Sequence, residues 1–234
     1  MSDAATLRIL SAGAPKTGVR LCAETFARQS AAQFTLTFAT APVIKQRVEE
    51  GTADADVLVA PTSVMEELQA RGKIADGAVA EIGSVTSGVV VRNGARDPDL
   101  SSVNAFTQAL LDADQLVFNR ASSGQYIEKL LAELGILERV AAKTVRTKTG
   151  AEVMQHLAAD THPATIGFGQ ITEIRLQEDL GVHLVGPLPE AIGKVTAYQA
   201  AVLAQSRDTE LAHALVRFMA SESGKTIFES SGVT

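Results

Sequence analysis

The sequence has no tryptophan, and aromatic residues make up only 4% of its 234 residues. Proteins stack bases and sugars on aromatic side chains, so this scarcity argues against a nucleic-acid surface and against an aromatic sugar-binding platform. The net charge is −6 and lysine and arginine form no block, which also argues against DNA binding. We expect no nucleic acid among the partners of this protein.

Cysteine and histidine are equally sparse. The single cysteine, Cys22, excludes an internal disulfide, and its position in an apolar helical pattern predicts a buried side chain. The four histidines do not pair at i, i+4 spacing and join no Cys/His cluster, so the sequence predicts no metal site. It also lacks a G-x-G-x-x-G motif, a P-loop and a G-x-S-x-G elbow. We therefore expect no metal and no cofactor.

Long apolar runs are missing too, because no run reaches the roughly 18 residues that a membrane span needs. Residues Met1–Thr6 lead directly into an apolar strand, without the basic start, long apolar segment or lipobox cysteine of a secretory signal. As written, the sequence predicts a cytoplasmic protein without membrane insertion. If a signal peptide has been trimmed from it, the protein is periplasmic, and an ABC permease becomes a candidate partner.

What the sequence does contain is a regular alternation of short apolar strands and helical patterns. The predicted strands are Leu7–Leu10, Phe34–Phe38, Asp56–Ala60, Leu116–Asn119, Ala142–Arg146 and Ala164–Phe168. The predicted helices are Val19–Gln29, Val43–Glu50, Ser63–Arg71, Ser123–Leu134, Thr149–Ala158 and Ile171–Asp179, with Ser101 or Ser102 capping a further helix to Asp112. This alternation predicts an α/β fold with mainly parallel sheets.

Two segments differ from this alternation and are interpreted as hinge strands. They lie near residues 83–91 and near residues 193–200. The segment near 83–91 is a β-branched run with glycines, and the alternative interpretation of it is a buried central strand. The sequence then predicts two doubly wound α/β lobes, residues 1–82 plus 198–234 and residues 83–197. Helix N-termini of both lobes can point into a cleft between them, so we expect the ligand there.

One turn, within Phe118–Tyr126, carries the clearest chemical signal. It reads FNRASSGQY, which is the end of a strand, a Ser/Gly turn and the start of a helix. Such a turn aims free backbone N–H groups at an anion, and Arg120 adds a charged donor. In the alternative interpretation, Ser122 or Ser123 is only an N-cap, which stabilises the helix by about 1 kcal/mol.

Taken in order, several segments resemble the type II periplasmic solute-binding proteins, closest to the molybdate-binding branch, which includes aconitate-isomerase-like relatives. The segments are 10–16 (LSAGAPK), 35–39 (TLTFA), 53–59 (ADADVLV), 122–126 (SSGQY), 166–169 (IGFG) and 218–228 (FMASESGKTIF). The resemblance covers nearly the whole chain. It implies two α/β lobes joined by a two-strand hinge, an anion site in the cleft and a relation to ABC transporters.

The chain departs from the molybdate pattern at the positions that the resemblance assigns to the oxyanion. Where serines are implied in the first two loops it has Ala14 and Ala41, and Gln170 stands at the position of the late-loop tyrosine. A buried oxyanion without these hydroxyl donors lacks partners, which disfavours molybdate. Lys16 and Arg120 supply fixed positive charge that suits carboxylates, although Lys16 could equally be a solvated surface charge.

We therefore expect a small organic anion, a di- or tricarboxylate rather than molybdate, as the ligand of a solute-binding protein or a cytoplasmic sensor. The expected ligand-binding residues are Ala14, Lys16, Thr40, Ala41, Arg120, Ser122, Ser123, Gly124, Tyr126, Thr149, Gly169 and Gln170.

The alternative is a cofactor-free isomerase of an unsaturated carboxylic acid. Its general base stays open between Lys16, Tyr126, Glu173 and a histidine. Asp54 and Asp56 also look like a carboxylate pair, but because they flank a strand we expect them to be solvated or to cap a helix.

Overall fold

The computed structural model describes residues 6–234, apart from the side chain of residue 78. The chain forms two compact units, one made of the residues up to Val85 together with Thr196–Thr234, the other of Thr86–Val195. Each unit is a sheet flanked by helices, so the predicted α/β class is confirmed.

The first unit contains three parallel strands and five helices. The strands are β1 (Thr6–Ala12), β2 (Gln33–Ala39) and β3 (Val57–Pro61), and the helices are α1 (Lys16–Ser30), α2 (Ala41–Glu49), α3 (Thr62–Ala70), α9 (Thr209–Ala220) and α10 (Glu222–Ser230). Two long strands, β4 (Ile74–Arg92) and β9 (Val195–Leu203), contain the points where the chain passes from one unit to the other.

Parallel pairing in the first unit brings three helix starts to one edge. β1 lies between β2 and β3, with Ala12 opposite Ala39 and Ser11 opposite Val59. The loops that lead into α1, α2 and α3 therefore all leave the same carboxyl edge of the sheet. The apolar faces pack in one core, which includes Cys22 as predicted, and burial raises the pKa of its thiol to about 12.

The second unit repeats this arrangement. Its strands are β5 (Gln115–Asn119), β6 (Thr144–Thr147), β7 (Thr165–Gln170) and β8 (Val182–Pro187), and its helices are α4 (Val103–Asp112), α5 (Ser122–Glu133), α6 (Leu137–Val140), α7 (Gly150–Ala159) and α8 (Ile171–Arg175). β5 lies between β6 and β7 as β1 lies between β2 and β3. Although the sequence shows no internal repeat, the two units share one doubly wound topology.

The structure corrects two details of the sequence analysis. The helix predicted over Ile171–Asp179 ends at Arg175 and is followed by a 3-10 turn. Leu176 and Leu180, the apolar residues that would extend its buried face, are exposed and do not pack in a core. The sheets are also less uniformly parallel than predicted, since β9 pairs antiparallel with β3, and β4 pairs antiparallel with β7 and β8. Long extended strands, rather than helical crossovers, lead into these pairs.

Asp56 shows a third difference, because its side chain is only 1% exposed. Arg8 donates from Nε and Nη2 to its carboxylate at 2.8 and 2.5 Å, and the backbone N–H of Arg207 donates at 2.8 Å. Burial alone would raise the pKa of Asp56, but these hydrogen bonds outweigh it and hold that pKa below its usual value. The network ties β1, β3 and the start of the α9 segment together at the amino edge of the sheet.

Replacing Arg8 by Met leaves the buried Asp56 carboxylate without its charged partner. We expect the free energy of unfolding to fall by about 3 kcal/mol at pH 7, measured by urea denaturation followed by circular dichroism. A lowered folded-state pKa adds stability only above the unfolded carboxyl pKa of about 3.9, so the difference from wild type should shrink as the pH falls below that value.

The matched control for this variant is Arg217→Met, which changes an exposed arginine on α9. It should alter stability by no more than about 0.5 kcal/mol. Equal, small effects of the two substitutions would contradict the role given to Arg8.

Candidate functional site

Three helices begin at the carboxyl edge of the first unit without a side-chain cap. The residues before α1, α2 and α3 are Pro15, Thr40 and Pro61, and none of their side chains accepts a hydrogen bond from the following turn. Ala14 is buried in the loop after β1, half-buried Lys16 opens α1, and Ala41 opens α2. The first-turn N–H groups of these helices therefore have no side-chain acceptor in their own cap residues, although the Lys16 N–H donates to the Gly13 carbonyl at 3.1 Å.

Three helices that begin elsewhere in the fold, α4, α9 and α10, have a side-chain cap, whereas the short helix α6 has none. Ser102, Asp208 and Ser221 accept hydrogen bonds from first-turn N–H groups of α4, α9 and α10 at 3.1, 3.0 and 3.2 Å. The cap of α4 confirms the sequence prediction. The contrast shows that this chain uses Ser and Asp caps freely, but not where helices follow the parallel strands β1, β2 and β3.

The Ser-Ser-Gly turn opens α5 at the carboxyl end of β5. Ala121 precedes the helix and neither serine caps it, so the interpretation of Ser122 or Ser123 as an N-cap is wrong. Instead Asn119 Oδ1 accepts from the Ala121 N–H at 2.8 Å, and Asn119 Nδ2 donates to Ser123 Oγ at 3.1 Å. The local sequence thus bends through an Asx turn that occupies Ser123 and leaves the helix start without a side-chain cap.

Gly124 allows α5 to begin this close to β5. A Cβ atom at this position would lie 1.7 Å from the backbone oxygen of Asn119, a distance that no side chain tolerates. Arg120, in the same turn, is exposed, and its N–H donates to the Thr147 carbonyl at 2.9 Å. The end of β6 therefore positions the turn, while the Arg120 side chain reaches solvent.

The start of α7 is built differently. Thr149 Oγ1 accepts from the Glu152 N–H at 3.2 Å, and Glu152 Oε2 accepts from the Lys148 N–H at 2.9 Å. The pair resembles a capping box, except that Glu152 accepts from the residue before the cap residue Thr149. The hydroxyl oxygen of Thr149 is thus engaged within its own helix.

Gly169 and Gln170 end β7 and are both buried. In the antiparallel pair of β4 and β7, Ser87 lies directly opposite Gln170. Ser87 is 2% exposed, and its hydroxyl makes no hydrogen bond to any residue in the described range. The sequence analysis missed Ser87, although its position between Val85 and Val89 on one face of a β-branched run marks it as a buried polar residue.

Tyr126 lies one turn into α5 and is half-buried. Its hydroxyl donates to the Ile192 carbonyl at 3.0 Å, and the Lys194 ammonium lies 5.6 Å from the centre of its ring. Burial, together with the charge of Glu133, raises the pKa of this phenol. The contacts fasten the segment that precedes β9 to α5.

The expected site residues thus form two groups, each within one unit. Ala14, Lys16, Thr40 and Ala41 lie at the carboxyl edge of β1 and β2 in the first unit. In the second unit, the ends of β5, β6 and β7 carry Arg120, Ser122, Ser123, Gly124, Thr149, Gly169 and Gln170. Both groups contain uncapped helix N-termini, which bind anions through their N–H groups and dipoles.

Comparison with protein families matches residues 7–234 to the model of the bacterial extracellular solute-binding proteins. Among curated proteins, an aconitate isomerase of Pseudomonas sp. is 27% identical over 233 residues, covering 97% of this chain and 87% of that protein. The resemblance stated from the sequence is confirmed.

Solved structures of similar fold include two that are named for molybdenum or molybdate. The periplasmic molybdate-binding protein of Azotobacter vinelandii matches with a TM-score of 0.77 at 15% identity, covering 97% of this chain and 98% of that one. The substrate-binding domain of a molybdenum ABC transporter from Clostridium difficile gives 0.70 at 19% identity, with 98% of each chain covered.

A sulfate-binding protein of Mycobacterium tuberculosis gives a TM-score of 0.76 at 15% identity, covering 98% of this chain and 86% of that one. At these identities the likeness establishes the type II periplasmic-binding-protein fold. Among residues 6–234 the structure contains no helix that is both long and apolar enough to cross a membrane.

Replacing Ser87 by Ala removes a buried hydroxyl that has no partner in the described protein. We expect the free energy of unfolding to stay unchanged or to rise by about 1 kcal/mol, because an unsatisfied buried group is costly. Ser102→Ala is the control, since it removes a real cap and should lower stability by about 1 kcal/mol. Urea denaturation measures both, and a clear loss of stability in Ser87→Ala would contradict the description of this hydroxyl.

Proposed function

We propose that this chain, which belongs to the bacterial extracellular solute-binding protein family, binds a small organic acid with two or three carboxylates. In this proposal the carboxyl edge of each unit, taken by itself, offers groups that bind carboxylates. The observation that supports it most is the set of helix starts at those edges, α1, α2, α3 and α5, that have no side-chain cap.

The chemistry of these edges suits carboxylates. Uncapped first-turn N–H groups donate to anions, and the helix dipole adds a partial positive charge at each start. Lys16 and Arg120 stand beside two of these starts and add full charges. A guanidinium pairs with a carboxylate through two parallel hydrogen bonds, which gives geometric selectivity as well as affinity.

The same edges are poorly equipped for a compact metal oxyanion. Ala14 and Ala41 stand where the resemblance implies serine hydroxyls, and both are buried. A dianion such as molybdate concentrates its charge in one small volume and needs donors on every side. A di- or tricarboxylate spreads its charge, so separate helix starts can each bind one group.

A second candidate function is a cofactor-free isomerisation of an unsaturated organic acid. The aconitate isomerase relative favours it, because that similarity extends over 97% of this chain. Such a reaction removes a proton from a carbon near a carboxylate and returns it to another carbon. Preorganised N–H groups would stabilise the enolate-like charge that develops between the two steps.

We also propose a location outside the cytoplasm, with an ABC permease as the partner of a binding protein. Membership of an extracellular solute-binding family favours this over the cytoplasmic location expected from the sequence. The cytoplasmic location expected from the sequence is not confirmed. Such a location would suit a cytoplasmic sensor or an isomerase, but not a binding protein that serves a permease.

A thermal-shift panel tests the ligand class. Citrate, succinate and both aconitate isomers should raise the melting temperature, since a ligand at 100 times its Kd stabilises by about 2.7 kcal/mol. Arg120→Gln should weaken the best acid at least about tenfold, because a charged hydrogen bond contributes about 1.5–3 kcal/mol. Arg217→Gln, which changes an exposed arginine of α9, is the matched control and should leave affinity unchanged.

The panel also contains molybdate, tungstate, sulfate and phosphate. A larger shift with any of these than with every carboxylate would contradict the proposed ligand class. Each acid that binds is then incubated with the protein in D₂O and followed by proton NMR. An unchanged spectrum indicates a binding protein, whereas exchange of protons or movement of the double bond indicates the isomerase.

A further inference from the structure

Lys194 places a positive charge beside the start of α5 in the second unit. It directly precedes β9 and is exposed, and its ammonium lies 5.6 Å from the centre of the Tyr126 ring. Tyr126 lies one turn into α5, and helical side chains lean towards the helix N-terminus, so this ring lies over the first turn. The Lys194 ammonium is therefore close to a helix start that has no side-chain cap.

The backbone around Lys194 is fixed from two sides. The Tyr126 hydroxyl donates to the Ile192 carbonyl at 3.0 Å, and the Ser87 N–H donates to the Lys194 carbonyl at 2.8 Å. The lysine side chain thus starts from a defined place. Such preorganisation reduces the entropy that is lost when the ammonium binds a ligand.

The positive charges at this helix start have no counterion in the described part of the chain. Arg120 and Lys194 form no ion pair with any described residue, and the first turn of α5 contains no acid. The acids further along α5, Glu128 and Glu133, pair with other basic residues. Cations beside the positive end of a helix dipole are unfavourable. An anionic ligand would relieve this repulsion.

Ser87 is an independent indication of a ligand at the same place. It is 2% exposed, and its hydroxyl has no hydrogen-bond partner among residues 6–234. Ser87 lies directly opposite Gln170, the last residue of β7, so both side chains project from one face of the sheet. That face also carries Val89, which packs in one core with Ile127 of α5. A buried hydroxyl is costly unless a partner from outside the described chain satisfies it.

The helix start and the buried hydroxyl share one edge of the sheet. β5 and β7 run parallel, with Val117 opposite Gly167, and they end at Asn119 and Gln170. α5 begins directly after the turn that follows β5, and it packs against both strands. The Ser87 hydroxyl is therefore directed to the α5 side of the sheet, at the edge where α5 begins.

We propose that Lys194 and Ser87 bind the ligand and complete a carboxylate-binding site at the start of α5. This inference rests on the proposed function, in either of its forms. The Lys194 ammonium and the Arg120 guanidinium pair with one carboxylate, and first-turn N–H groups of α5 donate to it. The Ser87 hydroxyl donates to a further oxygen of the same ligand. Neither Lys194 nor Ser87 was among the ligand-binding residues expected from the sequence.

The first arm of the test removes the charge of Lys194. Isothermal titration calorimetry measures the Kd of citrate and of tricarballylate for the full chain. Lys194→Met keeps an unbranched side chain over the Tyr126 ring and should weaken binding at least about tenfold, because a hydrogen bond to a charged group is lost. Lys194→Arg should bind more tightly than Lys194→Met. Lys225→Met, which changes an exposed lysine of α10, is the matched control and should keep the wild-type Kd.

Salt provides a readout that a merely structural role of Lys194 would not give. Raising NaCl from about 50 mM to about 0.5 M should weaken the wild type more than Lys194→Met, because salt screens the charge pair that the variant lacks.

The second arm removes the hydroxyl of Ser87. Ser87→Ala should weaken binding at least about tenfold without lowering stability, since this hydroxyl has no partner in the described protein. Ser102→Ala is the control with the opposite behaviour, because it removes the cap of α4 and should keep the wild-type Kd. A binding role therefore separates affinity from stability.

Each other outcome overturns the inference in a distinguishable way. An unchanged Kd in either Lys194→Met or Ser87→Ala overturns it and leaves the proposed function standing, because wild type still binds the acids. An equal loss in Lys225→Met shows that net charge alone matters, which also overturns it. If neither acid binds wild type, the proposed function fails, and the inference fails with it.

Discussion

The structure depends on one constraint, which is that the first N–H groups of an α-helix must find acceptors outside the helix. At α4, α9 and α10 a Ser or Asp cap supplies an acceptor, whereas α1, α2, α3 and α5 have no such cap. Parallel strands place these uncapped starts at the carboxyl edge of each unit. The donors are therefore concentrated where an anionic ligand can satisfy them.

The two edges of the sheet in the first unit differ in how their polar groups are satisfied. The buried carboxylate of Asp56 and its partner Arg8 tie the amino edge together. At the carboxyl edge, by contrast, the starts of α1, α2 and α3 have no side-chain cap. The second unit also contains a polar group without a partner, because the Ser87 hydroxyl is buried and makes no hydrogen bond to any described residue. A buried polar group without a partner lowers the stability of the fold.

Local patterns were enough to predict the α/β class and the alternation of elements, including β9 at Val195–Leu203. Contacts between distant residues were not predictable in this way. Asp56 is buried because Arg8, 48 residues earlier, reaches it, so its own surroundings in sequence suggested solvation. The same limit applies to the antiparallel pairing of β4 and to the contact of Glu173 with Gly150, which depends on how α7 and α8 pack.

The most direct test of the central claim is a backbone amide NMR titration with tricarballylate, a saturated tricarboxylate that cannot isomerise. The account predicts that amide resonances of residues 17, 18, 41, 43 and 122–124 shift strongly on binding. Those of the capped helix starts, residues 103–106 and 209–212, should stay in place. Shifts confined to other segments, or no shift at saturating acid, would contradict the claim that uncapped helix starts bind carboxylates.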